Sequence, residues 1–453
     1  MSALLYINEQ FVNRFNKNIE TLTKFKELQT PKKSGKLVRV VGLTLEAKGI
    51  SAPLGAICEV DSIVKHKTFL AEVVGFQNDI LYLMPFEETE GVGPGSKVTL
   101  IANSSDASVS RGLTGRVLDG LGQPIDGKGP ITGDIEKMPF EGTRINPLER
   151  QPIDEVLDTG IKAINSCLTI GRGQRLGLIA GSGVGKSVLL GMLTRNTSAD
   201  VVVIGLIGER GREVKEFISN TLGDKGLSKA IVIAAPANIS PVVRLKATKL
   251  THTIAEYYRD KGKNVLLLLD SLTRVAHAQR EIGLSVGEPP TAKGYPPSVF
   301  ALLPKLIERT GVGANGHGTI TSIYTVLAEG DDTSDPVVDI ARASLDGQVM
   351  LSRKLADMAH YPAIDLAGSV SRVMPSIVSG DRLKKANQFR RLWTLYQQNM
   401  DLIQVGAYEP GTNPELDEAI KIRLAMESFL LQGDTESFSF EQCQQLLMGV
   451  MGI

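Results

Sequence analysis

A chain of 453 residues exceeds the size at which one hydrophobic core stops growing, so two or three domains are expected. Apolar residues make up 42% and charged residues 22%, a balance that fits a globular protein and excludes a disordered one. Basic and acidic side chains both number 50, and the resulting zero net charge gives no electrostatic case for nucleic acid as a main partner.

The three cysteines (Cys58, Cys167, Cys443) lie far apart and are odd in number, which reads as buried thiols in a reducing compartment. The five histidines are scattered without a helical pairing, so no zinc site is expected. The N-terminus, MSALLYINEQFVNRF, carries charge early and lacks the apolar core of a signal peptide. No apolar run reaches the roughly 18 residues that a membrane span needs. The expected location is the cytoplasm, with at most a peripheral contact to a membrane.

Leu4, Phe11, Phe15, Ile19 and Leu22 recur at three-, four- and seven-residue intervals, which predicts an N-terminal amphipathic helix. It either packs on its own protein or docks a partner or membrane surface. From Lys36 to Ala102 the short runs LVRVVGL, AICEV, FLAEVVGF, ILYLMPF and KVTLIA are broken by Gly, Pro, Asn and Asp, as in a small β-barrel or sandwich. Residues 103–112, NSSDASVSRG, read as a polar linker.

From 113 to 380, runs such as RLGLIA, ADVVVIGLIG, KAIVIAA, NVLLLLD and TITSIYTVLA alternate with helix-sized amphipathic stretches. That alternation predicts an α/β fold, a parallel sheet buried on both faces by helices. After 380 the strands stop. Leu383, Phe389, Trp393 and Tyr396 share a face of a predicted helix over 381–402. Asn413-Pro414 starts a second helix, 414–432, ended by Gly433, and Ser439 with Gln442 makes a capping box for a third.

Ala180-Gly181-Ser182-Gly183-Val184-Gly185-Lys186-Ser187, continued by Val188, follows a strand-like run and opens a helical one. This is the context of a phosphate-binding loop, in which glycines let backbone N–H groups turn inward around phosphates. Ala180 replaces the first glycine of the consensus. Lys186 is expected on the β- and γ-phosphates and Ser187 on Mg²⁺. Asp270, at the end of the run from Val265 to Leu269, fits an acidic residue that orients Mg²⁺. Ser271 follows it where many such ATPases place a glutamate, so the base must lie elsewhere. Glu209, in Gly208-Glu209-Arg210-Gly211-Arg212-Glu213 just after the strand VVVIGLI, is the candidate.

The motifs AGSGVGKSVLLGML, IGERGREVKEFI, LLLLDSLTR, GYPPSVFALLPKLIERTG and YPAIDLAGSVSRVM together resemble the hexameric rotary-type ATPases. That family includes the catalytic subunits of the proton-driven ATP synthase. The resemblance spans about 35–450, and within the family the chain is most similar to the flagellar type III protein export ATPases. It implies an N-terminal helix (1–30), a β-barrel domain (31–103), a RecA-like ATPase domain (104–380) and a C-terminal helical domain (381–453). It also implies ATP and Mg²⁺, a homohexamer with sites at subunit interfaces, Glu209 as the water-activating residue and Arg210 in contact with phosphate. Arg372, in Ser369-Val370-Ser371-Arg372, falls on the arginine finger that reaches the neighbouring subunit's γ-phosphate, and Tyr361 on the aromatic that stacks on adenine.

Gly211 and Val214 depart from the ATP synthase catalytic subunit and match the export branch, as does the stretch Asp401–Gly411, which lacks that subunit's acidic rotor-contacting segment. The implied partners are a stator-like regulator at the N-terminal helix, a central stalk protein, export chaperones and substrates, and a membrane export gate, with no nucleic acid. The implied location is cytoplasmic, peripheral to the inner membrane at the flagellar base. Alternatives are a virulence injectisome ATPase and, from other classes, a non-catalytic nucleotide-binding subunit of a rotary ATPase or an RNA-translocating helicase. The presence of Glu209 argues against the non-catalytic subunit, and the neutral charge against the helicase.

Overall fold

The computed structural model describes residues 33–64, 67–314, 316–328 and 335–452, so the amphipathic segment near the N-terminus lies outside the described residues. The chain divides into two units, one up to Ser104 and one from Ser105 onward.

In the first unit, strands β1 (Ser34–Val41), β2 (Thr44–Lys48), β3 (Ile57–Asp61), β4 (Thr68–Gln77), β5 (Ile80–Pro85) and β6 (Lys97–Ala102) form a closed barrel. Leu45 and Ala47, Cys58 and Val60, and Leu81 and Leu83 stand two residues apart and are buried, the period that turns one strand face inward. The strands pair antiparallel in the order β1-β2-β5-β4-β3-β6, and β1 returns to β6 through Ser34↔Thr99 and Lys36↔Lys97. Register shifts near Leu37, Val73 and Ile57 are bulges that bend these short strands toward closure.

In the second unit, β7 (Asp106–Val109), β8 (Val117–Asp119), β9 (Glu136–Pro139), β10 (Val156–Leu157) and β11 (Ile170–Gly171) precede the main strands. The stretch read as a linker is therefore partly a strand: β7 pairs with β9, and Ala107 and Val109 are buried. Asp-Ala-Ser-Val has a strand's alternation, but its side chains are too small to register as an apolar run.

The main sheet adds β12 (Arg175–Ala180), β13 (Val201–Ile207), β14 (Ala230–Ala235), β15 (Asn264–Asp270), β16 (Gly311–Val312), β17 (Thr319–Leu327), β18 (Gly347–Leu351) and β19 (Ile364–Ser371). Its order is β19-β18-β12-β17-β15-β13-β14-β8, with β16 paired to β17. The strands from β18 to β8 along this path are parallel, and β19 runs antiparallel at the edge. Val202, Ile204, Leu266 and Leu268 belong to one core, while Val201, Val203, Val265 and Leu267 belong to another on the opposite face. Helices on both faces leave no side of these strands to water, which is why they read as continuous apolar runs. β18 and β19 were not visible as runs because buried and partly exposed positions alternate along them.

Helices Gly380–Gln404, Pro414–Leu430 and Phe440–Val450 pack on the first of these cores through Phe389, Trp393, Phe429 and Leu447. The Asn413 side chain caps the second helix, which ends at Leu430, and Ser439 and Gln442 form the capping box of the third. All three cysteines are buried, and burial pushes the Cys167 thiol up to about 12.

Candidate functional site

The parallel register brings three strand ends to one crevice. Ala180 pairs with Leu327, Leu269 with Tyr324, and Leu206 with Asp270, so β12, β15 and β13 finish on the same side. The chain after β12 turns through Gly183 (φ +77) and Gly185 (φ +88), left-handed conformations that glycine adopts without strain. Lys186 then begins the helix Lys186–Asn196, whose free N–H groups and positive dipole end face the crevice. Val184 is buried beneath the loop, whereas Ser182, Ser187 and Val188 are exposed.

Lys186 is the hub of the crevice. Its Nζ lies 2.5 Å from Asp270 Oδ1 and 3.6 Å from Glu209 Oε1. The side chains are only 13% (Lys186), 6% (Asp270) and 14% (Glu209) exposed, so these charges meet in a largely dry site. Asp270 Oδ1 also accepts a hydrogen bond from the Thr325 hydroxyl at 2.7 Å. Glu209 differs: its Oε1 is buried without a hydrogen-bond partner. Burial, and then the Asp270 charge, push its pKa above the usual carboxylate range, with Lys186 pulling the other way. A buried carboxylate with an open lone pair beside a phosphate-loop lysine is placed to take a proton from water.

These donors fit a magnesium nucleotide. The glycine turns leave room for phosphate oxygens, and the Ser187 hydroxyl and Asp270 carboxylate are the hard oxygen donors that Mg²⁺ prefers.

Tyr361 stands at the other side of the loop, 43% exposed. Its ring lies 3.3 Å from where a Cβ at Gly185 would stand, so any side chain there would press on the ring. Its phenol donates to the Ala356 carbonyl (3.3 Å), and its own carbonyl accepts from the Gln432 N–H (3.0 Å). The rest of the ring is open to stack on a base.

Two further sequence candidates are not brought to Lys186. The Arg210 side chain is 85% exposed and faces Glu213 at 3.4 Å. Arg372 follows Ser371, which pairs with Gly347, while Gln348 pairs with Gly177 of β12. Arg372 therefore sits level with the start of β12, and its own phosphate loop follows the other end. Four strand residues, about 13 Å at 3.3 Å each, separate Leu176 from Ala180.

The structure adds Arg274 to the site. Its Nε is buried without a hydrogen-bond partner, and its Cβ comes within 2.8 Å of where a Gly208 Cβ would be. Gly208 (φ +71) is thus required both for the turn into Glu209 and for this approach. Nothing local in the sequence marks Arg274: it meets Gly208 because the helix Leu272–Ser285 follows directly on β15, which pairs with β13.

The fold and this crevice define a P-loop nucleotide hydrolase built on a parallel sheet. Residues 160–371 match the nucleotide-binding domain of the ATP synthase alpha/beta family, 37–100 its beta-barrel domain, and 378–449 the T3SS EscN ATPase C-terminal domain. The flagellum-specific ATP synthase of Pseudomonas aeruginosa is 53% identical over 423 residues, 93% of this chain and 94% of that protein. The assembled ATPase EscN of the enteropathogenic E. coli type III secretion system superposes with a TM-score of 0.86 at 40% identity, over 92% of this chain and 100% of that one. EscN in complex with its central stalk EscO gives a TM-score of 0.83, with the same identity and coverage. The chain belongs to the ATP synthase alpha/beta family, in the branch that carries the type III secretion ATPase C-terminal domain. The expected resemblance to rotary-type ATPases and the expected order of barrel, parallel sheet and helical end both hold.

Proposed function

We propose that this protein hydrolyses ATP to energise flagellar type III protein export. The observation that carries the hydrolysis is half-buried Glu209, whose Oε1 lies 3.6 Å from Lys186 Nζ and has no hydrogen-bond partner. Backbone N–H groups of the glycine loop and the Lys186 ammonium hold the β- and γ-phosphates, and Tyr361 stacks on the adenine. Ser187 and Asp270 would hold Mg²⁺, which would supply Lewis-acid stabilisation of the phosphate charge. Glu209 orients a water in line with the γ-phosphorus and accepts its proton as the new P–O bond forms and the bond to ADP breaks. Arg372 supplies positive charge to the γ-phosphate of the next copy in a homohexamer. Arg210, exposed and paired with Glu213 here, takes a phosphate contact when nucleotide is bound.

The flagellar reading is favoured over the injectisome one by 53% identity to the Pseudomonas protein against 45% to the type 3 secretion system ATPase of Xanthomonas euvesicatoria. A central stalk occupies the ring as EscO accompanies EscN, while a stator-like regulator takes the N-terminal helix. Chaperones, substrates and the membrane export gate complete the machine at the cytoplasmic face of the inner membrane. Among the described residues no helix is long and apolar enough to cross a membrane.

The test is Glu209→Gln in the full chain. ATP should still bind, phosphate release should fall by about 10²- to 10⁴-fold, and cells carrying it should export fewer flagellar subunits. Wild-type turnover by this variant would remove Glu209 as the base; lost turnover with undiminished export would separate hydrolysis from the export role.

A further inference from the structure

The edge of the sheet that carries Arg372 holds a second arginine with no assigned role. A groove of about 380 Å³ is lined by Arg342, Gln348, Met350, Gly368, Val370 and Arg372. Arg342 projects from the helix Pro336–Ser344 and is half-buried. Its Nε donates to Gln348 Oε1 at 3.0 Å, and the Gln348 amide donates in turn to the Gly368 carbonyl at 2.9 Å. Its Nη2 lies 3.9 Å from the Met350 sulfur. Arg372 is held similarly, Nη1 donating to the Leu345 carbonyl at 3.2 Å.

Both guanidiniums are thus oriented by neutral acceptors, which fix geometry without cancelling charge. No carboxylate lines the groove among the described residues. Of the nearby acids, Asp346 Oδ2 accepts from the Arg175 N–H (3.0 Å), and Asp365 Oδ1 accepts from the Ala367 N–H (2.9 Å) while its Oδ2 lies beside Gly368 at the groove's edge. Two like charges facing one groove repel each other, and the arrangement is stabilised once an anion lies between them. A phosphate presents several oxygens in the geometry that a guanidinium fork matches.

We propose that Arg342 is a second arginine acting across the subunit interface, so that this groove clasps the triphosphate of ATP held by the neighbouring copy. Arg342 grips phosphate oxygens in the ground state, while Arg372 meets the charge that develops on the γ-phosphate. The proposal rests on the reading of Arg372 as acting on a neighbour.

The experiment uses full-length chains assembled together. Arg342→Gln alone should lower kcat/KM about 10- to 100-fold, the range for a lost hydrogen bond to a charged group, and Arg342→Lys should recover part of it. Affinity of the dilute Arg342→Gln chain for a fluorescent ATP analogue should match wild type, which also shows that the variant folds. Arg342→Gln is then co-assembled with Lys186→Ala, whose grooves are intact but whose phosphate loop is disabled. Turnover per Arg342→Gln chain should rise several-fold as the partner is added, because its loops now face intact grooves. Arg372→Ala with Lys186→Ala serves as the parallel pair. Rescue of Arg372→Ala without rescue of Arg342→Gln overturns the role of Arg342 alone. Failure of both pairs overturns the interface reading beneath it.

Discussion

The two ends of the main sheet carry opposite electrostatic designs. Where β12, β13 and β15 finish, one ammonium faces two carboxylates, and the Lys186 charge is met by Asp270 and Glu209 within a few ångströms. Where β18 begins, Arg342 and Arg372 line a groove whose described residues include no acid. The first end has its own phosphate loop, with its one ammonium met by two carboxylates of the same chain. The second has charge but no ligand of its own, since the phosphate loop of the same chain lies at the far end of β12. On the proposed reading each copy carries two half-sites, which a ring would join.

The sharpest way to break that comparison is Arg372→Ala. An arginine finger is worth about 10³- to 10⁵-fold in turnover, so phosphate release should fall by at least about 10³-fold with ATP affinity nearly unchanged. Wild-type specific activity should also fall on dilution, as assembled copies part. Full activity of a dilute, monodisperse monomer would show that one chain holds a whole site.

Glu209 tests the phosphate-loop end, with a smaller effect of about 10²- to 10⁴-fold for Glu209→Gln. Its pKa, raised by burial and by Asp270, also dictates a pH dependence. The base must be ionised, so kcat/KM should rise with pH through an acid limb above the ordinary carboxylate range, and Glu209→Gln should lack that limb. Stability moves oppositely. A carboxyl whose folded pKa lies above its unfolded value stabilises the fold below the unfolded pKa, and that contribution is lost as pH rises through the folded value. Glu209→Gln should therefore melt higher than wild type at neutral pH. An equal or lower midpoint would show that Lys186 compensates the charge fully.

Legibility in the sequence tracked how local the physical cause was. The phosphate loop was readable because left-handed turns at Gly183 and Gly185 need glycine, whatever lies elsewhere in the chain. Strands buried on both faces announced themselves as apolar runs. Glu209 required strand order as well, since its value lies in ending beside β15. Arg372 was reachable only through family resemblance, because nothing local distinguishes it from a surface arginine. Arg274 was missed because it meets Gly208, far away in sequence, and Arg342 because its contact with Gln348, six residues on, exists only once the chain turns from its helix into β18. The barrel was legible through its turns, but its closure depends on β1 pairing with β6, which no single segment encodes.

Tyr361 yields the smallest effect and separates the two ends by a different route. Loss of base stacking costs about 1–3 kcal/mol, so Tyr361→Ala should raise KM for ATP by about 5- to 150-fold at nearly constant kcat. The phenol's hydrogen bond among the described residues is a long one to the Ala356 carbonyl, at 3.3 Å, so Tyr361→Phe should stay within about twofold of wild type. Because this ring lies against Gly185 of its own chain, the weakened affinity of Tyr361→Ala should be the same in dilute and assembled protein. Arg372→Ala should alter only the assembled form. If the Tyr361→Ala defect appeared only on assembly, the base would be held by the neighbouring copy, and the assignment of whole-nucleotide binding to the phosphate-loop end would fail.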